Sequence, residues 1–383
     1  MIIAVDSDKP FPINQYLNNP ENVLVLDGGQ GTELERRGLN INHSLWSTLP
    51  FLENSACSKD NKYLQVIKDM YVDFINNGSN GLMTLTYQSS YASLIKYSDG
   101  RINNLSEYTA FLNSIVDFVY SILKEQGTVN GKPLYLLGSI GPYASYLSNG
   151  SEYTGNYNIN DDHIDFINYY SPQLSNFIEN DKIDLIAFET IPNFQEFSSI
   201  LSLKFLNHFI PLHEKGLKPF FISITVDDET GNLRAGTTYS ELCNYIIKFV
   251  TENAKENHEH IILSSLVGFG MNCFAKKNSV EFLNKYNSYL KEHYPPEFRN
   301  NSNVKYFNVI YPNSGEVYDG QTRTWSHSDN DDIHNYSWSN LVENFVNVQH
   351  CKIIGGCCRT TPGDIKEIST AINVVVAAAA DVE

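Results

Sequence analysis

Short apolar runs alternate with longer segments of helical pattern eight times along this chain, and this alternation limits the possible folds more than any other feature. The runs begin near residues 22, 80, 133, 183, 219, 261, 304 and 351. Most are apolar without the strict alternation of a half-exposed strand, which is typical of parallel strands buried on both faces. Strands that alternate with helices require crossover connections, so the pattern predicts a parallel sheet covered by helices.

Eight strand–helix units are the number that closes a (β/α)8 barrel. We therefore predict the α/β class and one TIM-barrel domain over residues 1–383, with its core over about 22–376. A doubly wound open sheet has the same alternation and is the alternative. Because no low-complexity linker divides the chain, the polar stretches near 149–160, 292–303 and 320–335 are interpreted as long loops or insertions.

Helical periodicity and capping residues set the expected bounds of the helices. The pattern predicts helices over about 59–77, 106–125, 161–180, 239–254, 279–292, 338–348 and 362–376. A further helix is expected to follow the fourth strand and to end near His208. Asp161 or Asp162 is the expected N-cap of the helix over 161–180.

The charge of the chain argues for a small-molecule substrate. The net charge is −17, from 27 basic and 44 acidic residues, and no run of Lys or Arg could follow a phosphate backbone. Such a field repels nucleic acid and anionic lipid, so neither is an expected partner. No apolar run reaches the roughly 18 residues of a membrane span. The N-terminal stretch lacks a basic segment and its apolar run ends at Asp6, so we expect a cytoplasmic protein.

Three of the six cysteines lie where two strand-like runs end. Cys273 ends the run that begins near 261, and Cys357 and Cys358 end the run that begins near 351. If both runs are barrel strands, these thiols lie at strand C-terminal ends, the face on which barrel active sites are built. The sixth and eighth strands are near neighbours around such a barrel, so the three thiols can converge.

Three converging thiolates suit zinc, and three protein ligands leave the fourth position that a catalytic site needs. Gly355 and Gly356 are expected to let the backbone turn sharply before the adjacent pair. Two alternatives stay open on spacing alone. Any one of these cysteines could be a small buried apolar residue, and Cys357 and Cys358 could form a strained vicinal disulfide.

The other cysteines lack a glycine-flanked strand end, and we interpret Cys57, Cys243 and Cys351 as ordinary core residues. Cys351 begins its strand, so it should lie at the opposite end of the barrel from Cys357.

Several ordered motifs identify a family. GMNC (270–273), GGCCRTTP (355–362) and LDGGQGTELERRG (26–38) together resemble the homocysteine S-methyltransferase family. LTYQSSY (85–91), GSIGPYA (138–144), FETIPN (188–193) and YPNSGE (311–316) fall between them in the expected order, so the resemblance runs from about 22 to about 371. It implies a distorted (β/α)8 barrel in which Cys273, Cys357 and Cys358 bind zinc and homocysteine binds through its sulfur.

The resemblance also implies substrate-binding residues at the matching positions. Asp27 and Glu189 would help to hold the amino acid, and Asn272 would shape the pocket together with the glycines of the cysteine motifs. The backbone N–H groups of Gly28 and Gly29 are candidates for binding the substrate carboxylate. On the residues alone, Asp27 could equally belong to an ordinary turn, and Glu189 could cap the helix that follows it.

The methyl donor is expected to be a sulfonium ion. FETIPN, YPNSGE and GSIGPYA look more like the branch that uses S-methylmethionine or S-adenosylmethionine than the betaine branch, and betaine is the second candidate. A chain of this length also has no room for the cobalamin modules of methionine synthase. Aromatic side chains could hold a sulfonium by cation–π contact, although packing is the commoner role of each. The candidates are Trp46, Tyr87, Tyr91 and Tyr143.

Two other classes of function are compatible with the cysteines. In a non-catalytic zinc protein, a fourth His or Cys would close the site. In a redox protein, the Cys357–Cys358 pair would cycle without a metal. The sequence makes no prediction of the oligomeric state.

Overall fold

Parallel strands form the centre of the molecule in the computed structural model, which describes residues 11–54, 62–157, 164–209, 217–254, 260–298, 304–319, 324–326 and 336–380. Within these ranges, eight strands belong to one sheet. They are β1 Leu24–Val25, β2 Gly81–Met83, β3 Tyr135–Ile140, β4 Leu185–Ile191, β5 Phe220–Ile224, β6 Leu266–Ala275, β7 Phe307–Asn313 and β8 Ile353–Ile354.

The sheet is nearly closed into a barrel. Its strand order is β1-β8-β7-β6-β5-β4-β3-β2, and each pair of neighbours is parallel. The two outer strands meet through a parallel bridge between Leu26 and Gly81, and the N–H of Asp27 donates to the carbonyl of Gly81 at 3.2 Å. The predicted (β/α)8 architecture is therefore confirmed, and the open doubly wound alternative is wrong.

Helices surround the barrel. Their bounds are Ile13–Asn18, Gln30–Arg36, Leu49–Asn54, Lys62–Asn76, Tyr91–Tyr97, Leu105–Gln126, Tyr143–Leu147, Phe166–Glu179, Phe194–Ile200, Leu203–Phe209, Tyr239–Asn253, His260–Ser265, Ser279–His293, Trp338–Asn347 and Pro362–Ala380. Ser90, Asn104, Asn193, Thr238 and Ser337 accept hydrogen bonds at helix N-termini, which satisfies donors that the first turn leaves unpaired. A helix long and apolar enough to cross a bilayer is not found in the described part of the chain.

Most predicted helix bounds agree with the structure to within a few residues, with two differences. The helix of Phe166–Glu179 is capped by Asp165, whose side chain accepts from the N–H of Asn168 at 3.1 Å. The expected caps Asp161 and Asp162 lie outside the described residues. The sequence predicts a single helix after β4, but the structure has two, Phe194–Ile200 and Leu203–Phe209. The helical conformation is interrupted at residues 201–202.

The polar stretch near 320–335 is not entirely loop. Thr324–Ser326 pairs antiparallel with Val317–Asp319, and much of the rest of the stretch lies outside the described residues. A second small hairpin pairs Thr128–Val129 with Lys132–Pro133. Both hairpins lie outside the barrel sheet.

An N-terminal helix that the sequence analysis did not predict packs against the barrel interior. Ile13, Tyr16 and Leu17 of this helix are buried in one apolar cluster with strand residues such as Leu24 and Tyr135. The hydroxyl of Tyr16 donates to the carbonyl of Val23, just before β1. The helix therefore covers the N-terminal end of the barrel, where the strands begin. A second and larger apolar cluster fills the space between the sheet and the outer helices.

Candidate active site

Three cysteine thiols meet at the C-terminal end of the barrel. Cys273 lies near the end of β6, whereas Cys357 and Cys358 follow β8. Their sulfur atoms all lie within 4.8 Å of one another, and the Sγ atoms of Cys273 and Cys358 are 4.0 Å apart. The three cysteines are free thiols, so the vicinal disulfide is absent from this structure. No fourth His, Cys, Asp or Glu joins the group among the residues that the structure describes.

The neighbouring strand β7 fixes the position of the adjacent pair. The N–H of Cys357 donates to the carbonyl of Pro312 at 2.8 Å, and the N–H of Ser314 donates to the carbonyl of Cys358 at 3.1 Å. On the other side, Cys273 has a φ of +55°, a left-handed conformation that is uncommon for residues other than glycine. Such strained residues occur mostly at functional sites, because the surrounding structure must compensate for their cost.

Gly355 and Gly356 are needed for space, and the chain turns directly after them, at Cys358 and Arg359. Neither is among the glycines with positive φ. A Cβ on Gly355 would lie 2.5 Å from the Cβ of Leu26, and one on Gly356 would lie 2.4 Å from Oγ1 of Thr360. The end of β1 therefore leaves no room for a side chain at Gly355, and Thr360 leaves none at Gly356.

The thiol cluster fits a tetrahedral zinc ion. At the usual zinc–sulfur distance of about 2.3 Å, two ligand sulfurs of a tetrahedral site are about 3.8 Å apart. The 4.0 Å between Cys273 and Cys358 is close to this spacing. Hydrogen bonds from the thiols of Cys273 and Cys358 lower the pKa of Cys357 well below its ordinary value, which favours a thiolate. Three ligands would leave one of four positions for an incoming atom.

Asn272 contacts the thiol cluster from the barrel interior. Its Nδ2 lies 3.8 Å from Sγ of Cys357 and donates to Oγ1 of Thr190 at 2.7 Å. Its Oδ1 accepts from the N–H of Thr190 and from Oγ of Ser223. Asn272 is fully buried and therefore links β4, β5, β6 and the chain after β8. This is the arrangement of a residue that orients ligands without binding the metal itself.

Two buried carboxylates lie beside the thiols. Oδ2 of Asp27 accepts from Nε2 of Gln30 at 2.7 Å and from the N–H of Met83 at 3.1 Å. The pKa of Asp27 is raised to about 7, mainly by burial and to a smaller extent by the charge of Cys357. Asp27 thus joins β1 to β2 as well as facing the site.

Glu189, the second carboxylate, lies near the end of β4 and accepts a hydrogen bond from Oγ of Ser139. Burial raises the pKa of Glu189 to about 8, and the charges of Cys357 and Asp27 add to the effect. The alternative role of Glu189 as a helix cap is wrong, because Asn193 caps the following helix.

A cavity of about 900 Å³ opens above the thiols. It is bordered by Asp27, Gly28, Gly29, Trp46, Tyr87, Glu189, Cys273, Cys357 and Cys358, all of which the sequence analysis singled out. Asn272 is not among the lining residues, but it contacts Cys357, which is. The N–H of Gly29 donates to Thr360, which leaves Gly28 as the better candidate for binding a carboxylate.

Comparison with known proteins identifies the family. The sequence model described as homocysteine S-methyltransferase matches residues 24–372. The chain belongs to the homocysteine S-methyltransferase family. The resemblance stated from the motifs is therefore confirmed.

Two relatives from Saccharomyces cerevisiae span almost the same length as this chain. Homocysteine S-methyltransferase 2 is 40% identical over 365 residues, which cover 94% of this chain and 98% of the relative. Homocysteine S-methyltransferase 1 is 39% identical over 368 residues, which cover 95% and 99%. The metallated form of the homocysteine methyltransferase MmuM from Escherichia coli has a TM-score of 0.63 at 24% identity, covers 94% of this chain and 99% of its own, and supports the fold.

The candidate donor-binding aromatics divide into two pairs. Trp46 and Tyr87 border the cavity. The ring of Trp46 packs so closely on Gly31 that a Cβ there would lie 2.1 Å from the ring. Tyr91 and Tyr143 are not among the residues of the cavity wall. The ring of Tyr91 packs against another tyrosine at 5.2 Å, and that of Tyr143 belongs to a cluster of four other aromatic rings.

Other cavity residues were not singled out from the sequence. Ser139, Thr190, Thr225 and Tyr311 border the cavity, and each lies at or just beyond the C-terminal end of a strand. That position was a usable signal, because barrel active sites are built there. Glu152 also borders the cavity but lies in a loop, where no sequence pattern distinguished it.

Cys243 is buried in the helix Tyr239–Asn253, and Cys351 is buried before β8, at the opposite end from Cys357 as expected. Burial raises the pKa of both thiols far above the ordinary value, so both are inert core residues. Cys57 lies outside the described residues.

Proposed function

We propose that this chain transfers a methyl group from a sulfonium donor, S-methylmethionine or S-adenosylmethionine, to the thiol of L-homocysteine, and that zinc held by Cys273, Cys357 and Cys358 takes part. The observation that carries the proposal is the convergence of three thiols, with no fourth described ligand, at the floor of a large cavity. The names of the yeast relatives support the same substrate.

The ligand set suits alkyl transfer. When bound, zinc lowers the pKa of a coordinated thiol and so presents it as the thiolate, which is the nucleophilic form. Three cysteine thiolates would give a Zn²⁺ site a net charge of −1, which would keep electron density on a substrate sulfur. Asn272 would hold the ligand geometry through its contacts with Thr190 and Cys357.

Asp27 and Glu189 are proposed to bind the ammonium group of homocysteine. Both are buried beside Cys357, and burial raises the pKa of both in the ligand-free protein. A bound ammonium group would favour their charged forms and fix the amino acid with its sulfur towards the thiols. Gly28 offers a backbone N–H for the carboxylate.

The charge of the cavity favours a cationic donor. Its wall contains four carboxylates, those of Asp27, Glu35, Glu152 and Glu189, and no Lys or Arg among the described residues. Such a wall attracts cations. Trp46 and Tyr87 could contact a sulfonium by cation–π interaction worth about 0.5–2 kcal/mol. Betaine also carries a cationic group, its quaternary ammonium, and is the second candidate. The branch motifs favour the sulfonium donors.

Transfer needs no general base once the homocysteine thiol is deprotonated. The methyl carbon forms a bond to the attacking sulfur as its bond to the sulfonium sulfur breaks, and the departing thioether takes the bonding electron pair. The protein has to hold both sulfurs and the methyl carbon in line, and such positioning supplies several kcal/mol of rate acceleration.

The free thiols also support a reducing compartment, and we propose the cytoplasm.

Steady-state assays test the proposal. Protein purified without chelator should contain zinc and form methionine from homocysteine with S-methylmethionine or S-adenosylmethionine, and more slowly with betaine. The Cys273→Ser variant should lose this activity, whereas Cys243→Ala, in a core helix, should keep it. The proposal is overturned if the wild-type protein makes no methionine with any of the three donors, or if Cys273→Ser remains fully active.

The same experiment separates the other classes of function. Bound zinc without methyl transfer from any donor would support a non-catalytic zinc protein. Thiol titration that depends on an oxidant, in protein that binds no zinc, would support a redox protein.

A further inference from the structure

Glu152 is a third carboxylate in the cavity wall, partly exposed to the cavity and separate from the buried Asp27 and Glu189. It lies in the 3₁₀ turn Ser151–Tyr153, in the loop that follows β3. The pKa values of Asp27 and Glu189 respond to the charge of Cys357. That of Glu152 is raised to about 7 by desolvation. Glu152 reaches the cavity from the turn Ser151–Tyr153, whereas the thiols lie near the end of β6 and after β8.

No side chain in the described part of the chain forms a hydrogen bond or ion pair with the carboxylate of Glu152, which is contacted by its own backbone N–H. A carboxylate that is partly withdrawn from water and has no cation beside it is stabilised when a cationic group binds next to it. Among the described residues, the cavity wall contains no Lys or Arg to pair with it. A cationic ligand is therefore the partner that this carboxylate lacks.

The loop around Glu152 is held firmly. Nδ2 of Asn193 donates to the carbonyl of Gly155 at 2.9 Å, and the hydroxyl of Tyr157 donates to the buried carboxylate of Glu196. The N–H of Ser151 donates to Oδ1 of Asn149 at 3.1 Å. These contacts on both sides of the turn fix Glu152 before any ligand arrives, as a binding residue requires.

Tyr87 connects the two parts of the cavity. Burial raises its pKa, and the charges of Glu152, Cys273 and Glu189 raise it further, so its hydroxyl lies within electrostatic range of all three. A donor that passes Tyr87 can thus have one end at Glu152 while its methyl group points to the thiols. Oε1 of Gln88, in the same cavity wall, is buried and accepts no hydrogen bond from the described residues.

We propose that Glu152 binds the α-ammonium group of the methyl donor and so selects donors that are themselves amino acids, an inference that rests on the proposed function. The sulfonium charge is a poorer partner for Glu152, because that charge disappears during transfer and a carboxylate beside it would stabilise the reactant over the transition state. The ammonium charge is unchanged throughout, so pairing with it strengthens binding without slowing the reaction. Gln88 offers a second acceptor for the three ammonium protons.

The test compares S-methylmethionine with its deamino analogue, (3-carboxypropyl)dimethylsulfonium, which keeps the sulfonium and the carboxylate. Dissociation constants are measured by calorimetry on zinc-loaded protein, together with KM and kcat for both donors. The wild type should bind S-methylmethionine at least tenfold more tightly than the analogue. In Glu152→Gln this preference should fall to near one, with the KM for homocysteine unchanged and kcat little changed.

Two further variants provide controls. Glu152→Asp keeps the charge and should recover part of the preference. Glu35→Gln removes a carboxylate that also borders the cavity but is exposed and lies near Arg359, and it should keep the full preference.

The inference is overturned if the wild type shows no preference, or if Glu152→Gln keeps it or weakens both donors equally while thermal unfolding shows an intact fold. If the wild type forms methionine in the same experiment, such a result overturns the role of Glu152 and leaves the proposed function intact. A wild type that forms no methionine from any donor overturns the proposed function and this inference together.

Discussion

The two ends of β8 carry the same residue type in opposite circumstances. Cys351, before the strand, is buried among apolar side chains, and burial raises its pKa far above the ordinary value. Cys357, after the strand, borders the cavity, and two neighbouring thiols lower its pKa. Six positions along the chain thus separate a thiol in the apolar core from a thiol that borders the cavity. The chemistry of a cysteine here depends on which end of the barrel it occupies.

The same contrast holds for the barrel as a whole. At the N-terminal end, the helix Ile13–Asn18 packs apolar side chains onto the strands. At the C-terminal end, Thr190, Cys273 and Arg359 have left-handed φ values, and four carboxylates border the cavity. Strain at these three residues and the burial of Asp27 and Glu189 both cost stability, which indicates that this end is built for function.

The largest expected effect comes from replacing, one at a time, the two cysteines that flank β8. Cys357→Ser should lower methyl transfer by more than about 100-fold, because even residues that only orient metal ligands typically contribute about 10–100-fold. Cys351→Ser should change stability and leave kcat/KM almost unchanged. Activity and zinc content are measured on both purified variants. Equal losses of activity in the two variants would contradict the contrast between the strand ends.

A buried carboxylate at the C-terminal end should make stability depend on pH. Glu196 accepts from the N–H of Tyr143 at 2.7 Å and from the hydroxyls of Tyr157 and Tyr170, and burial raises its pKa from 4.5 to about 7. Because the folded protein holds this proton more tightly than the unfolded chain, the contribution of Glu196 to stability is complete below about pH 4.5 and is lost as the pH rises through about 7.

Glu196→Gln removes this titration. The difference in unfolding free energy, wild type minus variant, should fall by up to about 3 kcal/mol between about pH 4.5 and pH 7. Denaturant unfolding of both proteins across this range measures the difference. A difference that stays constant or grows with pH would show that the carboxylate is not costly in the folded state.

The smallest expected effect compares two buried asparagines at opposite ends of the barrel. Asn272 contacts Cys357, whereas Asn287 bonds with the backbone of Phe307, where β7 begins. Asn272→Ala should weaken zinc binding about 10–100-fold, because the ligands lose their orientation. Asn287→Ala should destabilise the fold and leave zinc affinity unchanged. Competition with a chromophoric chelator measures both affinities, and a similar loss in both variants would remove any special role of Asn272.

Much of this division between the ends was predictable from the sequence. The eight strand-like runs correspond to β1 to β8, because the periodicity of apolar residues reflects which faces of an element are buried. The thiols converged because strand ends lie at a common face, so the position of Cys273 along its run was informative. The placement of Asp27 and Glu189 beside the thiols followed from the family motifs.

Other features depend on contacts that no local pattern contains. The role of Gly355 arises from the approach of Leu26, which is distant in sequence. The helix Ile13–Asn18 is short, and only its packing on the barrel interior makes it stable. Glu152 lies in an irregular loop, where position along a strand gives no information. The prediction that residues 1–383 form a single domain stays a prediction.

X-ray absorption at the zinc edge tests the central claim most directly. Zinc-loaded protein should show three sulfur ligands at about 2.3 Å, and addition of homocysteine should raise the number to four. A Cys273→Ser sample should show one sulfur fewer in each state. A sulfur number that homocysteine does not change, or active protein that contains no zinc, would contradict the account.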